Sequence, residues 1–116
     1  MNHEKLSQIA REEAHAALQN LPDELRATVE PVPVFFETVP DADDLAYGIA
    51  PDTLGLFDPG TDEAALPRIR LWLSNLWDFA EEDEVVFRDE VRITLLHEIG
   101  HLLGWDEDEI DERGLG

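Results

Sequence analysis

Cysteine is absent from the chain. That excludes a disulfide framework and thiolate metal sites, so any metal must be held by His, Asp or Glu. Basic residues are few: eight Lys and Arg against 28 Asp and Glu give 8 − 28 = −20. A field of that sign repels nucleic acid and anionic membrane surfaces, and it draws divalent cations and basic peptides toward the protein. No apolar run approaches the roughly 18 residues of a membrane span. The stretch MNHEKLSQIAREEAHAAL is polar and amphipathic and has no apolar centre of the kind a secretory signal needs. A cytoplasmic protein with neither nucleic-acid nor membrane partners is the expectation. With 116 residues one modest core can be buried and two cannot, so residues 1–116 are expected to form a single domain.

What is present is patterned. From Glu4 to Leu21, apolar Leu6, Ile9, Ala10, Ala14, Ala17 and Leu18 recur at threes and fours, the stripe of an amphipathic helix. Leu21-Pro22 ends it, and PDELRATV begins a short second helix with Asp23 and Glu24 at its positive end. Val32, Val34 and Phe36 alternate with Pro33, Phe35 and Glu37; the period of two predicts a strand, with Pro33 at an edge or a strand start. Thr38 to Asp52, with its Pro, Gly and Asp residues, reads as a long exposed loop. Leu54 to Phe57 is a second short strand before the turn Asp58-Pro59-Gly60, and RIRLWL gives the clearest strand in the chain. Leu73-Ser74-Asn75 is expected to close it, followed by a helical turn over Leu76 to Phe79 and an acidic break over Glu81 to Glu84. A long helix then runs from Glu84 to Gly104, with Val91, Leu95, Ile99 and Leu102 facing inward and Arg88 and Arg92 able to pair with Glu84 and Asp89. Asp106 to Arg113 predicts a last, short acidic helix.

The long helix carries HEIGHLLGWDE, His97 to Glu107. At 3.6 residues per turn His101 lies roughly 40° around from His97, so both imidazoles leave one face, a turn apart, and can share a metal. Glu98 lies on the adjoining strip, where it can reach a water without binding the ion. Glu90 and Thr94 share the imidazole face and are candidates for hydrogen bonds to an imidazole N–H. Gly104 can adopt the left-handed conformation that ends a helix and lets the chain double back. That reversal brings Asp106, Glu107 and Asp108 toward the histidines, where one carboxylate could be a third ligand; three ligands plus water is what a catalytic zinc requires. Gly100, inside the helix, costs about 1 kcal/mol relative to alanine, which implies that something packs very close there, a strand backbone or the returning chain. A random chain of this composition spells HExxH with the following glycine about once in a thousand, which sets coincidence aside for those positions. With 28 carboxylates in the chain, an acid at any one tail position decides little. His3 and His15 read as surface or packing residues, Tyr47 as a loop tyrosine rather than an oxyanion donor, and Trp72, Trp77 and Trp105 as packing aromatics.

HEIGHLLGWDE resembles the zincin signature HExxHxxGxx followed by His or Asp, used by the metzincins and Asp-zincins, and the chain is similar to the mini-zincin group of small metallopeptidases. LPDEL, LGLFDPG and RIRLWLSNL extend the likeness. The resemblance implies an α+β, minimal zincin-like fold: a small mixed sheet of about three to four strands packed against an N-terminal helix and the long HExxH-bearing helix. It also implies Zn2+ as the metal and a peptide or protein substrate, with His97 and His101 as zinc ligands, Glu98 as general base and Gly104 as the turn glycine. The final ligand position falls on Glu107, where the family pattern has Asp or His, and Asp106 and Asp108 flank it. RIRLWL, as an edge beside the motif helix, would bind an extended peptide. The alternative is a catalytically inactive zincin-like metal-binding or interaction module; hydrolysis of a non-peptide amide is a third possibility.

Overall fold

The computed structural model describes residues 1–60 and 66–113. Helix α1 spans His3–Gln19, capped by the Asn2 side chain, which accepts from Lys5 N, and it buries Leu6, Ile9, Ala10, Ala14 and Ala17. Helix α2, Asp23–Val29, follows the Pro22 break. Strand β1 is Val34–Glu37, with Pro33 just before it, where the missing N–H does no harm and its carbonyl still accepts from Ile69 N at 2.9 Å.

The loop expected over Thr38–Asp52 contains a helix instead: α3, Ala42–Ala46, is nucleated by a capping box in which Asp41 and Asp44 each accept from the other's backbone N–H. Strand β2 is Gly55–Asp58 and β3 is Arg68–Trp72. Leu73 to Asn75, expected to close β3, already form the first turn of α4, Leu73–Phe79. The acidic break holds Glu81 and Glu82 at φ 56° and 59° before the long helix α5, Glu84–Leu102, and the short α6, Glu107–Glu112.

Among the described residues the sheet has three strands in the order β1-β3-β2, with β1 parallel and β2 antiparallel to β3. It is the small mixed sheet of a minimal zincin-like α+β fold. One expectation is corrected here: β3 is the central strand, its ladder groups committed on both sides, so the edge nearest α5 is β2.

Alternation divides the sheet into two faces. Ile69 and Leu71, fully buried, join Val34, Phe36 and Phe57 against the core built with α1 and α5. On α5 that core takes Phe87, Val91, Leu95 and Ile99, one residue per turn. Arg88, on the flank of α5, reaches Glu12 and Glu13 of α1 at 3.2 Å and Glu84 at 3.6 Å, fastening the two helices; Arg92 pairs with Asp89 at 3.4 Å. The opposite face of β3 carries Arg70 and Trp72. Arg70 meets Glu37 at 2.7 and 2.8 Å and the buried Asp44 at 2.7 Å twice, pinning α3 to the sheet, and its guanidinium lies 4.9 Å from the centre of the Trp72 ring. The Arg70 hydrogen bonds hold the Asp44 carboxyl down, from 3.8 to about 2, against the upward push of burial. Glu37 and Asp44 in turn raise the Arg70 pKa. Among the described residues no helix is long and apolar enough to cross a membrane.

Candidate metal centre

Helix α5 begins at Asp83, whose carboxylate accepts from Val86 N, and burying Phe87, Val91, Leu95 and Ile99 fixes its rotation. That rotation leaves His97 and His101 together on the partly exposed side. Their ring centres are 4.8 Å apart and their planes stand at 81°. Glu98, 8 % exposed, turns toward the sheet, and its Oε1 accepts from the backbone N–H of Phe57 at 2.8 Å.

The helix ends as the glycine pattern predicts. Gly104 sits at φ +82°; its N–H donates to His101 O and that of Trp105 donates to Gly100 O, both at 3.0 Å. The paired bonds form a Schellman closure, which satisfies the last carbonyls and reverses the chain. Helix α6 then folds back on α5. A Cβ on Gly100 would lie 2.4 Å from Ile110 Cγ1, so the close neighbour implied by that glycine is the returning chain, whose Ile110 is completely buried.

The reversal gives Asp106 and Glu107 different roles. The Asp106 carboxylate is the cap of α6 and accepts from Glu109 N at 2.9 Å. Glu107, first residue of α6, places Oε1 3.1 Å from His97 Nε2 and 3.1 Å from His101 Nε2. Donors around a tetrahedral zinc with bonds of about 2.0–2.1 Å stand about 3.3 Å apart, so each of the two distances from the Glu107 oxygen to an imidazole nitrogen, 3.1 Å, is close to that spacing. His97, Glu98 and His101 also form a group whose potential ligand atoms lie within 4.8 Å of one another and could hold a metal ion. The two carboxylates are not equivalent: Glu98 is engaged by the strand, whereas Glu107 reaches both rings through one oxygen.

A cleft of about 260 Å³ opens beside His97 and Glu98, bordered by Gly55, Glu90, Ile93 and Thr94. Glu90 and Thr94 therefore stand at the cleft wall, and the described hydrogen bond of the His97 ring goes to Glu107. Gly55 is needed for the approach of β2 to α5, since its Cβ would come 2.7 Å from Thr94 Cγ2. The backbone N–H of Trp72 donates to Leu54 O at 2.9 Å, so antiparallel alternation turns the backbone groups of Gly55 and Phe57 outward, away from β3; the Phe57 bond to Glu98 fits that alternation. His3 bonds Ser7 and Thr38 at 3.2 and 3.3 Å, and His15 lies exposed on α1. Tyr47 lies on the other side of the sheet, at a cleft with Arg70.

A family model described as zincin-like metallopeptidase matches residues 29–116. The chain belongs to that family. The match takes in the whole sheet, the histidine-bearing helix and α6. None of the curated proteins matches the chain.

Proposed function

We propose that the protein is a zinc-dependent peptidase that uses Glu98 as general base. The observation that carries the reading is the single Glu107 oxygen at 3.1 Å from both imidazole Nε2 atoms, beside a glutamate held in place by the sheet. Two imidazoles and a carboxylate suit zinc; His97, His101 and Glu107 would hold it. Zinc, when bound, polarises a carbonyl and acidifies water.

The remaining work belongs to this chain's residues. Glu98 Oε1 is fixed by the Phe57 N–H, which leaves Oε2 to take a proton from the attacking water and pass it to the leaving amine. With the Phe57 N–H taken by Glu98, the outward Gly55 N–H and C=O and the Phe57 C=O offer an edge along which an extended peptide can pair and present its scissile bond to Glu98. β2, rather than the central β3, is thus the strand proposed to receive substrate.

The experiment is metal analysis of the purified protein followed by incubation with a diverse peptide library, with and without chelator. Near-stoichiometric zinc and hydrolysis that the chelator abolishes support the reading. Zinc without hydrolysis favours the non-catalytic metal-binding module, and failure to bind zinc sinks both.

A further inference from the structure

We infer that the cleft between α3 and β2, on the sheet face away from the histidines, receives a lysine or arginine side chain of the bound peptide. The inference rests on the reading of the histidine site as a peptidase centre with substrate paired to β2. A peptide extended along that edge sends successive side chains to opposite faces of the sheet. On one face they enter the cleft beside His97. On the other they pass over a cleft of about 430 Å³, within the size range of pockets that accept small ligands.

The chemistry of the second cleft is that of a site for a long cation. Its apolar part is supplied by Ile49, Leu56 and Pro59, suited to the methylenes of a Lys or Arg stem. Asp43 and Tyr47 stand at its α3 side, and the Tyr47 ring is 85 % exposed, offering a carboxylate and a π face for the charged end. The cations already there are engaged. Arg70 is shared between Asp44 and Glu37 at 2.7 Å each, and Arg68 faces Asp58 at 3.4 Å. With Asp43, Asp44, Asp58 and Glu37 against Arg68 and Arg70, the local balance is 2 − 4 = −2. An acidic side chain would be repelled, a neutral one would gain only its stem contacts, and a basic one would gain both.

The test uses internally quenched peptides that are identical except for lysine, norleucine or glutamate at each position in turn, with the zinc-loaded protein and its Asp43→Asn and Asp43→Lys variants. The expected result is a preference for lysine over norleucine of about five- to tenfold in kcat/KM at one fixed position. Asp43→Asn should bring it to near parity without changing the rate on the norleucine peptide, and Asp43→Lys should favour glutamate there. Cleavage without a lysine preference, or with one that Asp43→Asn leaves intact, overturns the subsite while the peptidase reading stands. Binding is read separately, from backbone amide shifts of the Glu98→Gln protein titrated with the lysine and norleucine peptides. Shifts at Tyr47 and Leu56 that are specific to lysine and lost in Asp43→Asn support the cleft even if no peptide is cut. Their absence overturns it.

Discussion

Replacing Gly100 by alanine tests how Glu107, the proposed third ligand, is held. The new methyl would lie 2.4 Å from Ile110 Cγ1 and 2.7 Å from Cδ1, so Ile110 must leave its seat or α6 must lift away from α5. Two effects oppose each other. Alanine favours the helix by about 1 kcal/mol, whereas returning a completely buried isoleucine to water costs about 1.5–3 kcal/mol. The second wins, and a net loss of about 0.5–2 kcal/mol is expected, a fall of several degrees in Tm for a chain of this size. Glu107 rides on the displaced helix, so zinc affinity should fall about 10–100-fold. Both are measured directly, by thermal unfolding of the metal-free protein and by competition with a chromophoric chelator. The control is the same substitution in an Ile110→Ala background. There the nearest remaining atom, Cβ, is at 3.5 Å, an ordinary contact, so Gly100→Ala should become stabilising, by up to about 1 kcal/mol. A single Gly100→Ala variant that is more stable than the parent and binds zinc equally well would refute the docking of α6 on Gly100.

Three further substitutions probe the site and its support. Glu98→Gln keeps an oxygen for the Phe57 N–H, so zinc content and Tm should stay near those of the parent while turnover falls by at least about 10²-fold; retained hydrolysis rules out Glu98 as base. Gly55→Ala would force β2 away from Thr94, with Cβ 2.7 Å from its Cγ2, costing about 1–3 kcal/mol in denaturant unfolding; adding Thr94→Ser, which deletes that methyl, should recover part of the loss, and no recovery counts against the contact. Asp44 is depressed from 3.8 to about 2 by the Arg70 hydrogen bonds, so its contribution to stability is complete above pH about 4 and is lost as pH falls through about 2. Asp44→Asn should therefore be the less stable protein at neutral pH, and the gap to the parent should narrow as unfolding is measured from pH 5 down to pH 2; a constant gap contradicts the assignment.

The parts of the fold legible from the residues are those set by local rules. The spacing of Leu6, Ile9, Ala10, Ala14 and Ala17 foretells the buried face of α1, and Gly104 the chain reversal that follows α5. The identity of the returning segment at Gly100 is one step further, because the glycine announces a close neighbour without naming Ile110. Other features depend on pairings across the chain. That β3 is central follows from strand order, which RIRLWL by itself does not encode. The Arg70 cluster joins residues 33 and 26 positions away, so in sequence Asp44 reads as one more loop acid although its spacing from Asp41 is that of a capping box. The choice among Asp106, Glu107 and Asp108 was open in the sequence for a similar reason. In the structure Asp106 is committed to Glu109 N, while Glu107 lies against both rings.

Under the proposed function, the hydrogen bond from Phe57 to Glu98 would tie recognition to chemistry. A strand that shifts by a few tenths of an ångström as a guest chain zips along it tugs on the same carboxylate that would handle the proton. Poorly matched guests would then be penalised in the rate of bond cleavage as well as in how tightly they adhere, and selectivity would arise from the strand itself.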